Sequence, residues 1–168
     1  LVYAAVNALG PVHGVAVVTA CSATLPAVGV FIVLRRAKLK WVAVPLAGLT
    51  LVSSSVGETA AWGGLPQLIG FGLLPVLLWD VDAILRHRNR RSAIEAIVLL
   101  SAILITSHFA ATMACAAVVF VVLLHVATRR GEIATVIRRA RDLLPLVLVV
   151  LLAAPFYLAL LTASQRSN

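Results

Sequence analysis

Acidic side chains are scarce in this chain: there are six Asp or Glu in 168 residues, against fourteen Lys or Arg. Charged residues of both signs make up 12% of it, where a soluble domain holds about 25%. A chain that is 62% apolar cannot cover its surface with polar groups, so lipid must serve as its solvent. Methionine is nearly absent too. Met113 stands alone, and the chain opens on Leu1-Val2-Tyr3 with no basic stretch ahead of an apolar one, so nothing reads as a signal peptide. The expectation is an internal piece of a longer membrane protein. There are two cysteines, Cys21 and Cys115, each inside an apolar run, where they are expected to act as small fillers in packed helices. No Walker loop, dinucleotide fingerprint, H-E-x-x-H, G-x-S-x-G or cysteine metal cluster is present, so no motif supports an ATP-driven or redox activity or assigns a metal site.

The formal charge of +8 does not indicate a nucleic-acid binder, because the charges lie on no soluble face. Thirteen of the fourteen Lys and Arg fall in three clusters between apolar runs, at 35–40, 86–92 and 128–142. The apolar runs predict an all-α, polytopic transmembrane helix bundle of about six spans with short loops. The spans are expected at 12–34, 42–56, 66–85, 93–105, 109–127 and 143–161, all within one transmembrane domain. Residues 92–128 as a single helix would run about 55 Å, too long for a core of about 30 Å, so a turn is expected at Thr106-Ser107-His108. In the third cluster Ile133, Val136, Ile137 and Ala140 recur opposite the arginines, the pattern of an interfacial amphipathic helix. Gly10, Gly14, Ala16, Ala20 and Ala23 suggest a small-residue contact face on the first span. Ala110, Ala111, Ala114, Cys115, Ala116 and Ala117 suggest that the fifth lies inside the bundle.

Lys and Arg are enriched in cytoplasmic loops, and two spans separate each pair of clusters, so all three clusters are expected on the cytoplasmic face of the plasma (inner) membrane. The other face then carries Asn7, His13, Ser107-His108 and the stretch Gly57-Glu58-Thr59-Ala60-Ala61-Trp62-Gly63-Gly64-Leu65-Pro66-Gln67. Glu58 is the one acid away from a basic cluster; Asp80, Asp82, Glu95, Glu132 and Asp142 are expected to balance the cations beside them. A carboxylate at the bilayer centre costs about 2.5 kcal/mol or more, so Glu58 belongs at the interface or in a wet cavity. There it is suited to act as a base, bind a metal or orient a hydroxyl; it also fits an ordinary interfacial acid. Trp62 is suited to stack on a sugar or to sit in the aromatic belt. Gly63-Gly64 ahead of Pro66 either brings backbone N–H groups to an anion or makes a tight turn. His108 is a candidate proton carrier or metal ligand, or a polar helix cap.

Trp62-Gly63-Gly64-Leu65-Pro66-Gln67-Leu68-Ile69-Gly70, then an apolar span, an Arg-rich loop and Ile105-Thr106-Ser107-His108-Phe109, resembles the GT-C superfamily of lipid-linked-sugar glycosyltransferases of actinobacterial envelopes. Their first motif runs W-G-G-[YLF]-P, and their second resembles T-H-P, where Phe109 here replaces the proline. The resemblance implies transfer of a sugar from a polyprenyl-phosphate donor to an envelope glycan or lipid on the extracytoplasmic face. Trp62, Gly63, Gly64 and Gln67 would bind substrate, with Glu58 and His108 as catalytic candidates. The family's key acid sits on the first external loop, expected upstream of Leu1, so the resemblance does not assign Glu58 as the base. The implied partners are membrane lipid, the polyprenyl-linked sugar and the rest of a longer polypeptide. No cofactor motif is present, although the donor phosphate would need Gly-Gly backbone groups, a divalent metal or residues outside this stretch. A transporter or lipid flippase and a non-catalytic scaffold are the alternatives. Mid-span charge is almost absent, which counts against ion coupling.

Overall fold

The computed structural model describes residues 2–53, 56–57, 60, 64–87, 89–128 and 133–166. Glu58, Trp62 and Gly63 lie outside the described residues, as does Glu132. Among the described residues the secondary structure is helical: α1 Val2–Leu9, α2 Pro11–Arg36, α3 Lys40–Leu51, α4 Leu65–His87, α5 Arg90–Thr106, α6 His108–Thr128, α7 Ile133–Ala140, a 3-10 turn Arg141–Leu143, and α8 Leu144–Arg166. Three of them, α2, α4 and α6, are long and apolar enough to cross a membrane. Exposed apolar side chains suit lipid: Val12 on α2 and Val119 and Phe120 on α6, and also Trp41 on α3 (96% exposed), Ile105 on α5 (85%) and Leu152 on α8. Threonine hydroxyls satisfy themselves within their own helices. Thr50 donates to Leu46 O at 2.9 Å, Thr106 to Ala102 O at 2.9 Å and Thr128 to Leu124 O at 2.8 Å. That is the arrangement a hydroxyl needs where no water is available.

The chain divides into two compact units, Leu1–Val76 and Leu77–Asn168. The boundary falls inside α4, after Val76, next to Pro75, whose ring removes one helical N–H donor. In the first unit α2 packs against α1 and α3. Gly10 separates α1 from α2 at φ 80°, a conformation that favours glycine, and Pro11 then opens α2. α2 closes on a reversal at Lys38 (φ 63°), where Leu39 N–H reaches back to Leu34 O at 2.9 Å. This is a Schellman-type end with a lysine where glycine is usual.

The buried stripe of α2 is Gly14, Val18, Ser22, Pro26, Ala27 and Gly29, not the expected small-residue face. Gly14 belongs to it, but Ala16 and Ala20 are exposed and Ala23 is half-buried. The reason is helical geometry. Positions 14, 18, 22 and 26 stack at four-residue intervals on one face, whereas 16 and 20 lie two residues round. Cys21 is likewise exposed rather than packed. α3 ends at Leu51, short of the expected 56, where Ser53 Oγ donates to Thr50 O at 2.8 Å. Its 12 residues span about 18 Å.

α4 is the most buried of the three long apolar helices, with 50% of its apolar window enclosed against 22% for α2 and for α6. Leu77, Val81, Ile84 and Leu85 form its fully buried side in the second unit. α6 is therefore not the interior helix that its alanines suggested. Only one stripe of it, Ala110, Ala111, Ala114 and His125, is buried. The small residues allow close approach along that stripe, while Val119, Phe120, Leu123 and Leu124 remain outside. α5 and α6 are separated by Ser107 alone, in extended conformation (φ −156°, ψ 120°), with its Oγ accepting Ala110 N–H at 3.3 Å as an N-cap. The expected break at Thr106-Ser107-His108 is present.

Gly29 and Gly72 meet face to face in the first unit. A methyl on Gly29 would overlap Gly72 O, and one on Gly72 would stand 2.6 Å from the Leu25 carbonyl carbon. Nothing lies within 4 Å of a methyl on Gly48. Gly29→Ala is therefore expected to destabilise the protein by about 3 kcal/mol through overpacking. Gly48→Ala is expected to stabilise it by about 1 kcal/mol through helix propensity. Thermal unfolding of both variants in one detergent checks the pair, and equal shifts would contradict the packing described.

Candidate functional site

The described structure gathers polar chemistry at one end of the second unit, where α4 finishes, α5 begins, α6 finishes and the α7–turn–α8 segment crosses. The ordering starts with unsatisfied carbonyls. The last turn of any helix leaves C=O groups without partners. Here Arg139, on α7, donates through one terminal guanidinium nitrogen to Leu85 O at 2.9 Å and to Arg86 O at 2.7 Å. A cation at a helix C-terminus also meets the negative end of the helix dipole. The second and third basic clusters are thus adjacent.

Asp82, one turn earlier in α4, is the next anchor. Its Oδ2 lies 2.8 Å from Arg86 Nε and its Oδ1 lies 3.3 Å from His125 Nε2. The other ring nitrogen of His125, Nδ1, lies 3.2 Å from Val121 O. Both edges of the imidazole therefore face oxygen, and the contact fixes the end of α6 against α4. α5 and α6 consequently run back on one another, since α5 starts beside the end of α4 and α6 finishes there. Asn89 caps α5 by accepting Arg91 N–H at 3.1 Å, and Arg91 Nε pairs with Glu95 at 2.8 Å. Asp82 and Glu95 thus balance neighbouring cations as expected. Asp80, 1% exposed, is engaged by a polar contact of its own, as an interior carboxylate must be.

The residues singled out from the sequence fall elsewhere. Gly64 and Gln67 are half-buried at the start of α4, with Gly64 O accepting Leu68 N–H at 3.1 Å. His108 is exposed and opens α6, and its backbone carbonyl accepts the Thr112 hydroxyl at 2.9 Å. Gly64 and Gln67 belong to the first unit and His108 to the second. His13 is exposed in the first turn of α2. Among the described residues no three His, Cys, Asp or Glu side chains gather in a form that would hold a metal. Sequence reasoning did not find the Asp82–His125 pair. His125 stands out as an ionisable residue in an apolar run, and that was the available signal.

The two partners of Asp82 differ in burial: the His125 side chain is 10% exposed and that of Arg86 52%. His125→Ala, which leaves a carboxylate without its enclosed partner, is expected to cost about 1–3 kcal/mol. Arg86→Ala is expected to cost less than about 1 kcal/mol, as exposed ion pairs do. Denaturation of the purified variants in detergent ranks them, and a larger loss for Arg86→Ala would contradict this assignment.

No curated protein and no solved structure matches the chain. A family profile described as 6-pyruvoyl-tetrahydropterin synthase related domain, membrane protein, matches residues 1–162. Apolar helices with lipid-suited surfaces and a match over nearly the whole length agree, and the chain belongs to the 6-pyruvoyl-tetrahydropterin synthase related family of membrane proteins.

Proposed function

We propose that this protein is an integral membrane glycosyltransferase of GT-C type. It transfers a sugar from a polyprenyl-phosphate donor to an envelope acceptor on the extracytoplasmic face of the plasma membrane. The observation that carries the reading is the position of the Gly-Gly-Leu-Pro-Gln stretch. Its described part, Gly64 to Gln67, opens α4, the most buried apolar helix, whose other end bears the basic cluster. His108 opens α6, whose other end meets α4 at that same basic cluster. Each candidate stretch thus opens an apolar helix that finishes at a basic cluster, which supports assigning both to the face away from the clusters.

The topology that goes with this function has six spans and three cytoplasmic basic loops. It is supported by the contact of Arg139 with Leu85 and Arg86, which holds two of those loops together. It is also supported by the excess of Lys and Arg in cytoplasmic loops. In this arrangement Glu58 and His108 supply or orient the acid–base function at the acceptor hydroxyl. Trp62 offers a stacking face, and Gly63, Gly64 and Gln67 offer hydrogen-bond donors to the donor phosphate.

Two measurements test it. Ser107 is buried, so the reporter belongs at its exposed neighbour. In a background with Cys21 and Cys115 replaced by Ala, His108→Cys is expected to react with a membrane-impermeant maleimide added to intact cells. A cysteine placed at Arg90 is expected to react only after permeabilisation. Reversed labelling sinks the topology. In the full-length protein, Glu58→Gln and His108→Ala are each expected to reduce sugar transfer by about 100-fold. Trp62→Ala is expected to weaken donor or acceptor use with expression unchanged. Wild-type rates in all three would remove this stretch from the active site, and lipid-linked-sugar translocation without transfer would favour a flippase.

A further inference from the structure

A cleft of about 400 Å³ opens at the basic end of the second unit. Its volume falls in the range of small-ligand sites. Its polar lining is Asn89 and Arg90 at the start of α5, and Arg141 and Asp142 in the turn before α8. Ile84, Ala93 and Pro145 supply its apolar lining. The cations around it divide in a telling way. Arg86 and Arg91 are held by Asp82 and Glu95, and Arg139 by two backbone carbonyls. Arg90 and Arg141 line the cleft, and among the described residues neither is engaged by a carboxylate or a carbonyl. They come from two separate elements, 51 residues apart, brought to one opening by the contacts of Arg139.

Two guanidiniums facing one opening repel each other unless an anion lies between them. The forked geometry of Arg suits the oxygens of a phosphate. The cleft lies where α4 and α6 end, which is where phospholipid headgroups meet a membrane protein, and its apolar wall suits the glycerol and first acyl carbons. We infer that this cleft is a binding site for an anionic glycerophospholipid. The phosphodiester is held by Arg90 and Arg141, and the glycerol backbone lies against Ile84, Ala93 and Pro145. Asp142 also lines the cleft and is engaged by a contact of its own. Its carboxylate disfavours a second phosphate on that side and suits a headgroup hydroxyl, which points to a phosphatidylglycerol-like headgroup. The inference does not rest on the glycosyltransferase reading, because it uses the opposite end of the helices.

The test uses the full-length protein in a neutral detergent and native mass spectrometry of bound lipid. The probes are phosphatidylglycerol, phosphatidylcholine, glycerol 3-phosphate and inorganic phosphate. Phosphatidylglycerol is expected to bind in preference to phosphatidylcholine, with neither soluble phosphate competing at equal concentration. Arg90→Gln with Arg141→Gln is expected to weaken binding by about thirtyfold, taking about 1 kcal/mol per basic residue near an anionic headgroup. Arg35→Gln with Arg36→Gln, which removes the same charge from the first cluster, is expected to leave binding unchanged. Ala93→Phe keeps both arginines and fills the cleft, and is expected to weaken binding as well. It also provides a reading if the double Gln variant does not fold. Equal loss in the Arg35/Arg36 control would reduce the effect to net charge and overturn the site. So would unchanged binding in Ala93→Phe. Full competition by glycerol 3-phosphate or inorganic phosphate would assign the cleft to a soluble phosphate and overturn the lipid.

Discussion

The hydrogen bonds from Arg139 to the carbonyls of Leu85 and Arg86 hold the second unit together at its basic end. A helix leaving a membrane carries carbonyls that have lost their helical donors. Water can satisfy them only if the end is fully exposed, and here the neighbouring residues Ile84 and Leu85 are buried. A guanidinium from another segment does so instead. Its two contacts reach across more than fifty residues and bring the third basic cluster against the second. The rest of this end follows. α7 lies across the end of α4, the 3-10 turn brings Arg141 beside Asn89 and Arg90, and α8 starts from there.

This constraint also explains how so many cations share one region of a chain with few acids. Three kinds of partner serve this end. Arg86 and His125 share the two oxygens of Asp82, Arg91 takes Glu95, and Arg139 takes backbone. A single carboxylate that meets a guanidinium and an imidazole uses both of its oxygens, which matters where acids are scarce. Arg90 and Arg141 are the members of this group that line the cleft instead.

What was legible in the sequence was whatever depends on local period. The apolar runs became helices close to their expected positions. The excess length of 92–128 required a break, found at Ser107, and the spacing of Ile133 and Ala140 marked α7. What was not legible depends on which side of a helix meets which neighbour. In a helix that is apolar all round, lipid-facing and protein-facing positions have the same composition, so Ala16 and Ala20 look no different from Gly14 until a partner is present. The same ambiguity made α6 look interior. Gly29 and Gly72 are decisive for the first unit, yet they stand 43 residues apart and share no motif. The Asp82–His125 contact spans 43 residues as well, and only the isolated ionisable His in an apolar run hinted at it. Of the candidate site, Gly64, Gln67 and His108 sit at helix starts, while Glu58, Trp62 and Gly63 lie outside the described residues.

The two membrane faces of the proposed arrangement differ in chemistry, and the difference argues for a division of labour. The basic end offers several guanidiniums, which suits holding an anion in place. The Gly57–Gln67 stretch offers an acid, an indole and glycine backbone without a single Lys or Arg, which suits handling a neutral hydroxyl and a sugar face. A polyprenyl-phosphate donor would meet little positive charge there. Its phosphate would need backbone N–H groups, a metal or residues from elsewhere in the longer polypeptide. An anchored lipid at the basic end, by contrast, would be held by charges already present in this chain. The scarcity of acids that first marks the sequence therefore acts on both faces. It leaves Arg90 and Arg141 to line the cleft at one, and in the proposed topology it would make Glu58 the carboxylate on hand for chemistry at the other.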